Sequence, residues 1–243
     1  MILRSPCHKK GLRCVDWSLI YCAKQSHPRV RTCILPPMQI SPNPLIYLAS
    51  ASPRRSALLT QIGVSHSVRP VDLDETRRAG EHPRNYVQRL AREKASALWQ
   101  SLPDAERVPV LAADTTVAVQ EDILGKPRDE QDAVRMLSLL SGRTHQVYTG
   151  VALLSRGGVR DAVNVSEVQF RDLTAEEARA YWETGEPSDK AGAYAVQGLA
   201  AAFIERIEGS FSGIMGLPLF ETAQLLRDIG WRFAPEQSSQ VRP

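Results

Sequence analysis

The stretch LIYLASASPRRSALL, residues 45–59, predicts a strand that leads directly into a helix. Its first five residues suit a buried strand, Ser52 stands where a helix N-cap is expected, and Pro53 suits the first helical position. Arg54 and Arg55 then fall in the first turn, where the helix dipole disfavours each cation by roughly 0.3–1 kcal/mol. The two arginines therefore indicate that this end of the helix meets an anion.

Strand and helix signals alternate along the rest of the chain, the pattern typical of an α/β domain. Strands are predicted near 45–49, 66–71, 108–119, 145–155, 159–170 and 193–207, and helices near 53–62, 83–100, 129–141, 175–184 and 218–229. The Gly157-Gly158 pair predicts a hairpin between the fourth and fifth strands, which makes the sheet mixed. The predicted C-termini of helices are marked by Gly63, Gly142, Gly185 and Gly230. The capping box of Thr174 and Glu177 and the residue Pro218 mark the N-termini of the last two helices.

The first 37 residues differ in composition from the remainder. They hold seven Lys or Arg and one acidic residue, so they carry a net charge of +6, whereas residues 38–243 carry −3. We expect residues 1–37 to be a disordered or non-native extension rather than a targeting signal, and residues 38–243 to form the domain. The extension also contains every cysteine of the chain: Cys7, Cys14, Cys22 and Cys33.

The composition of residues 38–243 excludes several classes of function. A mildly acidic body argues against a nucleic-acid-binding surface, and no run approaches the roughly 18 apolar residues that a membrane span needs. The absence of cysteine from the body fits a reducing compartment. We therefore expect a cytoplasmic protein without nucleic-acid or membrane partners.

Two charged residues interrupt apolar patterns. Lys94 falls in the apolar stripe of the helix predicted near 83–100, and Asp114 interrupts the apolar strand VPVLAADTTVAV. A lysine in such a stripe can snorkel to an edge, and a buried aspartate can hold backbone amides at a bend. The functional alternative for Asp114 is a general base or a metal ligand at the mouth of a cleft.

Two further charged residues suit the binding of a phosphorylated ligand. Lys126 precedes Pro127 and a helix that Asp129 caps, so a third candidate cation stands near a helix N-terminus, and Glu75 offers a second carboxylate. Cations together with hard oxygen ligands suit a polyphosphate and a divalent metal, Mg or Mn. The chain has neither a Walker loop nor a GxGxxG motif, which argues against the common nucleotide-binding folds.

Seven short motifs, in order along residues 44–231, resemble the Maf-like nucleotide pyrophosphatases. They are SASPRR (50–55), YVQRLAREKA (86–95), AADTTV (112–117), GKP (125–127), LSGRTHQVYTGVAL (140–153), DKAGAYAVQG (189–198) and GSFSGIMGLP (209–218). The segment YWETGEPSDKAGAYAVQG resembles the branch acting on dTTP and UTP. The resemblance implies a two-lobed α/β fold around a curved mixed sheet, similar to inosine triphosphatases, with a nucleotide cleft between the lobes and hydrolysis to monophosphate and pyrophosphate.

The resemblance also implies roles for individual residues. Asp114 is expected to activate water, and Arg54, Thr115 and Gln197 to govern substrate choice. Phosphates are expected to meet Ser50, Arg54, Arg55, Lys94 and Lys126, and a divalent metal to meet Glu75 and Asp114. A homodimer is the default assembly. From the residues themselves, the Gln197 amide can donate and accept across the uracil or thymine edge, and Gly198 would permit close approach of backbone and base.

Two other functions stay open at this point. One is a nucleotide-binding regulator that captures phosphates without turnover, and the other is a pyrophosphatase for modified or purine nucleotides, 7-methyl-GTP included. A regulator is expected to have lost Asp114 or Lys126, and both are present.

Overall fold

The computed structural model describes residues 45–120 and 122–232. Within these ranges a seven-stranded mixed sheet has the order β2-β1-β3-β5-β6-β7, and β4 pairs with β3. The strands are β1 Ile46–Leu48, β2 His66–Val68, β3 Val110–Val119, β4 Asp122–Leu124, β5 Thr144–Ser155, β6 Gly158–Phe170 and β7 Ile204–Glu208. The helices are α1 Pro53–Gln61, α2 Pro83–Ser101, α3 Glu130–Leu140, α4 Ala175–Glu183, α5 Phe211–Met215 and α6 Leu219–Arg227. The predictions for the extension and its cysteines lie outside the described residues.

Most of the predicted elements are confirmed. β1 pairs in parallel with β2 and β3, whereas the β3–β5, β5–β6 and β6–β7 pairs are antiparallel, so the sheet is mixed. The four glycines predicted to end helices all have positive φ, and the Thr174–Glu177 capping box is formed. The hairpin joins β5 to β6, but its turn lies at Arg156 and Gly157, one residue earlier than predicted.

The strand predicted near 193–207 is wrong over most of its length. Only Ile204–Glu208 forms a strand, and short 3-10 turns occupy Ala191–Ala193 and Leu199–Phe203. Gly192 and Ala193 have positive φ, which breaks an extended chain. The apolar side chains in this segment are buried as turns against the core, so their hydrophobicity was mistaken for that of a strand. β4 and α5 were not predicted.

Alternating residues of the sheet divide the core around β1 and β3. Ile46, Leu48 and Leu111 point to one face, where they pack with α1 and α6. Tyr47 and Val110 point to the other face, which α2 covers. A separate cluster lies around α3, α4 and the 3-10 turns, and it includes Val117 of β3. The chain thus has two lobes that share β3 and β5, as expected.

Candidate active site

The candidate site lies beside the middle of β3, where no strand pairs with one of its two edges. β1 pairs with β3 only at Val110 and Leu111, and β4 pairs with it only from Val117 onward, whereas β5 pairs along the whole other edge. The segment 112–116 is therefore open on one side. A cavity of about 490 Å³ occupies this gap, a volume suited to a small-molecule ligand.

The nine residues singled out in the sequence all line this cavity. They come from the β1–α1 connection and α1, the 69–82 segment, α2, β3, the β4–α3 connection and the loop before β7: Ser50, Arg54, Arg55, Glu75, Lys94, Asp114, Thr115, Lys126 and Gln197. Their placement agrees with a common site, and their individual roles stay predictions. The cavity also has five cationic and three carboxylate residues in its lining, an excess of positive charge suited to a polyanion.

Lys94 links two carboxylates inside the cavity. Its Nζ lies 2.7 Å from Oδ1 of Asp114 and 2.6 Å from Oε1 of Glu75. The lysine side chain is only 10% exposed, so its ammonium ends on these carboxylates and does not snorkel to an edge. The explanation of Asp114 as a holder of backbone amides also lacks support, because its Oδ1 accepts its hydrogen bond from Lys94.

Close packing of α2 on the sheet brings Lys94 to Asp114. Asp114 pairs with Gly150 of β5, and a Cβ on Gly150 would come closer than 3 Å to the Val87 carbonyl of α2. Only glycine lets the helix backbone lie this near the strand. The apolar stripe of α2, in which Lys94 lies, therefore faces the centre of β3.

Burial raises the pKa of Asp114, whereas the charges of Lys94 and Arg55 act in the opposite direction and that of Glu75 adds to the increase. A carboxyl with a raised pKa is a stronger proton acceptor than an exposed aspartate.

Tyr86 closes this side of the site, because its hydroxyl donates to the backbone carbonyl of Glu75 at 2.9 Å. Burial raises the pKa of Tyr86 to about 12, so its hydroxyl stays protonated.

The two arginines of α1 have different surroundings. Arg55 is half-buried, and its guanidinium donates to Ser50 Oγ at 3.0 Å, Thr115 Oγ1 at 3.3 Å and the Gly216 carbonyl at 2.8 Å. Burial lowers the pKa of Arg55 from its usual value. Arg54 instead reaches the other lobe, where its Nη1 lies 3.7 Å from Oδ2 of Asp189.

The N-terminus of α1 is open toward the cavity. Ser52 has the extended backbone of an N-cap, but its side chain makes no capping hydrogen bond, and the first turn contains no acidic residue. Ser52, Pro53 and both arginines line the cavity. The helix dipole and the arginines thus favour an anion at the same place.

Gly198 is required by the packing of the protein itself, whereas its predicted approach to a base stays a prediction. A Cβ on Gly198 would come closer than 3 Å to the Glu186 carboxylate. That carboxylate accepts hydrogen bonds from Tyr181 Oη at 2.6 Å and from the Leu199 amide at 3.1 Å. Gly198 therefore lets the chain lie close to Glu186, which anchors the loop carrying Gln197.

Several lining residues were missed by the sequence analysis. Asp189 and Lys190 stand in the quoted DKAGAYAVQG motif, where a charge pair before a glycine-containing turn was the available signal. Gly216 lines the site through the carbonyl that Arg55 contacts. No local pattern marks this carbonyl, because it approaches Arg55 from 161 residues away in the chain.

The carboxylates of the site could supply two of the ligands of a divalent metal but not a complete set. The described residues contain no group of three or more His, Cys, Asp or Glu that could hold a metal. Glu75 and Asp114 do converge on one cation, the Lys94 ammonium. Mg²⁺ is commonly bound by one or two carboxylates, with substrate phosphates and water completing the shell, so this pair fits such an ion.

Within 45–120 and 122–232, no helix is long and apolar enough to cross a membrane.

Together the fold and cavity define an α/β protein with a cationic cleft suited to a phosphorylated ligand. A family model described as Maf-like protein matches residues 45–229. The chain therefore belongs to the Maf-like family.

Curated relatives cover the same region. A dTTP/UTP pyrophosphatase from Hahella chejuensis is 49% identical over 185 residues, which are 76% of this chain and 92% of the relative. A dTTP/UTP pyrophosphatase from Methylobacillus flagellatus is 53% identical, with the same shares covered. Among solved structures, the Staphylococcus aureus Ham1 protein is similar with a TM-score of 0.39 and 15% identity, over 53% of this chain and 72% of that one.

Proposed function

We propose that this protein hydrolyses dTTP and UTP to the nucleoside monophosphate and pyrophosphate. The observation that carries the proposal is the buried Asp114, bonded to Lys94 at the open edge of β3 in a cleft with excess positive charge. The names of the Hahella and Methylobacillus relatives support the same activity and the same two substrates.

Asp114 acts as the general base in this proposal. It takes a proton from a water molecule, whose oxygen forms a bond to the α-phosphorus while the bond from that phosphorus to the α–β bridging oxygen breaks. Pyrophosphate leaves with the electron pair of the broken bond. Arg55, Lys94 and Lys126 offset the negative charge that develops on the phosphates.

Glu75 and Asp114 are the residues that would hold a divalent metal, Mg or Mn. Such an ion supplies neutralisation of phosphate charge and lowers the pKa of bound water. Lys94 then has a positioning role, since it holds both carboxylates toward one point. A metal titration would decide whether Asp114 acts directly as the base or as a ligand of the metal.

Substrate choice rests on Arg54, Thr115 and Gln197. Gln197 is exposed on its loop, and its amide can donate to a pyrimidine carbonyl and accept from N3–H. The same edge of cytosine reverses these groups, so CTP would be a poor substrate. Similar efficiency is expected for dTTP and UTP, because both present the same N3–H and carbonyl edge to Gln197; they differ only in the sugar 2′-hydroxyl and in a methyl group, which changes affinity by only about 1 kcal/mol.

The protein is further proposed to act as a homodimer in the cytoplasm, removing unwanted nucleotides, modified pyrimidines included, from the nucleotide pool. The reducing environment of that compartment suits a body without cysteine.

The decisive experiment measures pyrophosphate release from dTTP, UTP, CTP, GTP and 7-methyl-GTP, with and without Mg²⁺ or Mn²⁺. The proposal expects release from dTTP and UTP at similar kcat/KM and much less from the others. Tight binding without pyrophosphate release would instead identify a regulator. Faster release from GTP or 7-methyl-GTP would identify a purine pyrophosphatase.

A further inference from the structure

A chain of hydrogen bonds runs behind the site from a guanidinium to a backbone carbonyl. Arg55 Nη2 lies 3.3 Å from Thr115 Oγ1, which lies 3.0 Å from Thr149 Oγ1, which in turn donates to the Gly213 carbonyl at 2.8 Å. Thr115 and Thr149 face each other across the β3–β5 pair. Thr149 is buried, whereas Thr115 lines the cavity.

The two ends of this series of hydrogen bonds determine which group is the donor in each bond. A guanidinium can only donate and a carbonyl can only accept. The Thr149 hydroxyl therefore donates its hydrogen to the Gly213 carbonyl, so its oxygen accepts a hydrogen bond from the Thr115 hydroxyl. Thr115 Oγ1 consequently accepts from Arg55, gives its hydrogen to Thr149, and keeps one lone pair for the cavity.

We propose that Thr149 is a positioning residue that fixes the Thr115 hydroxyl as a hydrogen-bond acceptor toward the substrate. This inference rests on the proposed function, and it specifies the group that Thr115 reads. Phosphate oxygens are acceptors and do not match a lone pair. The matching group is an N–H or O–H donor on the nucleoside, which is either the pyrimidine N3–H, then read by Thr115 in place of Gln197, or the sugar 3′-hydroxyl.

Replacing Thr149 with valine keeps the shape of the side chain but removes the acceptor for the Thr115 proton. Thr115 can then rotate its O–H into the cavity and donate to a ligand. The variant should therefore tolerate an acceptor where the parent requires a donor. A purely structural role for Thr149 would lower turnover of every substrate by the same factor and leave the ratios unchanged.

The experiment compares kcat/KM for two pairs of substrates in the parent and in Thr149→Val. UTP against CTP replaces the N3–H donor by an acceptor, and dTTP against 3′-fluoro-dTTP replaces the hydroxyl donor by an acceptor. We expect one of the two ratios to fall about tenfold in Thr149→Val, the effect of about one hydrogen bond. The pair that responds identifies the base or the sugar as the group facing Thr115.

Two variants serve as controls. Thr149→Ser keeps the hydroxyl and should restore the parent's ratios. Thr222→Val removes the hydroxyl of a buried threonine on α6, and Thr222 Oγ1 has no hydrogen-bond partner in the described part of the chain. Its ratios should equal those of the parent.

Unchanged ratios for both pairs in a folded Thr149→Val protein would overturn the proposal. If that variant does not fold, Thr115→Val tests the same point, because it removes the lone pair itself, and unchanged ratios there overturn the proposal equally. Dissociation constants for the same four nucleotides are measured by calorimetry in each variant. They test the donor preference even if the parent binds nucleotides without hydrolysing them, which would refute only the proposed function.

Discussion

The Nζ of Lys94 lies between Oδ1 of Asp114 and Oε1 of Glu75, at 2.7 and 2.6 Å, so one buried ammonium holds two of the three carboxylates of the site. Its charge acts to lower the pKa of Asp114, against the effect of burial. In the proposed mechanism Lys94 therefore has two separable effects: it supplies a cation to the phosphates, and its charge favours the ionised form of Asp114.

Replacing Lys94 with methionine should remove both effects while preserving α2, because methionine is a good helix former of similar length. We expect kcat/KM for dTTP to fall by at least ~10²-fold, and the acidic limb of the pH–rate profile to move to higher pH. Steady-state kinetics from pH 5 to 9 measure both changes. Arg84→Met, at an exposed position of the same helix, is the control. Parent-like activity in Lys94→Met would remove this lysine from the mechanism.

Asparagine at position 114 is nearly isosteric but cannot accept the proton of water as a carboxylate does. We expect Asp114→Asn to fold, to bind dTTP in calorimetry, and to turn over at least ~10²-fold more slowly. In the parent, activity should fall with decreasing pH through the raised pKa of Asp114, because a general base must be deprotonated. Asp161→Asn changes a carboxylate bonded to Gln88 and Arg92 outside the cavity, and it should retain full rate. An unfolded Asp114→Asn protein would favour a structural role for this aspartate.

Gln197→Ala tests the proposed recognition of the pyrimidine edge. The parent should prefer UTP over CTP, and the variant should lose most of that preference, because the amide that matches the uracil edge is absent. The measurement is kcat/KM for dTTP, UTP, CTP and GTP. Gln169→Ala alters a glutamine on β6 that bonds Glu205 and should keep the preference. An unchanged UTP/CTP ratio in Gln197→Ala would defeat the assignment of Gln197 and leave the pyrophosphatase proposal intact.

Gly150→Ala tests the close packing of α2 on the sheet. The added Cβ would press on the Val87 carbonyl, and overpacking of this kind costs typically 1–3 kcal/mol. We expect a lower Tm and a loss of activity as α2, with Lys94, moves away from β3. Gly157→Ala, in the β5–β6 turn, meets only Ser155 Oγ at 3.6 Å and should change neither property much. Equal stability of the two variants would show that the helix can shift at little cost.

His145 is expected to make the protein acid-sensitive. Its ring is buried beside Phe170 and Tyr194, and burial lowers the pKa of His145 to about 4 from the ordinary value of 6.5. Between these values the unfolded chain binds a proton that the folded chain does not, so the free energy of unfolding falls as the pH falls from 6.5 to 4. The loss should be at most about 3.5 kcal/mol, since each pKa unit corresponds to about 1.4 kcal/mol.

Urea denaturation from pH 4 to 7 measures this loss, and His145→Gln should flatten the curve in that interval. Thr222→Val changes no titratable group and no hydrogen bond of the described residues, and it should leave the slope as in the parent. An equally steep curve in His145→Gln would assign the acid sensitivity to other groups.

The alternation of strands and helices and most helix ends can be predicted from the amino-acid sequence alone. These features depend on residues close together in the chain: apolar periodicity for β3 and α2, positive φ at Gly63 and Gly142, and a reciprocal cap between Thr174 and Glu177. The sequence also singled out Lys94 and Asp114, because a charge in an apolar stripe is visible without any fold.

How those charges meet, and why particular glycines are needed, depends on the folded arrangement of distant segments. The Lys94–Asp114 bond spans 20 residues and the Thr149–Gly213 bond spans 64, and the packing of Gly198 on Glu186 joins a loop to a 3-10 turn. The segment 191–203 has the apolar composition of a strand but folds as turns, because the core around α3 and α4 buries it in that form. Local patterns report the preferences of neighbouring residues, whereas proton direction, ion pairing and close approach depend on groups that meet only after the chain has folded.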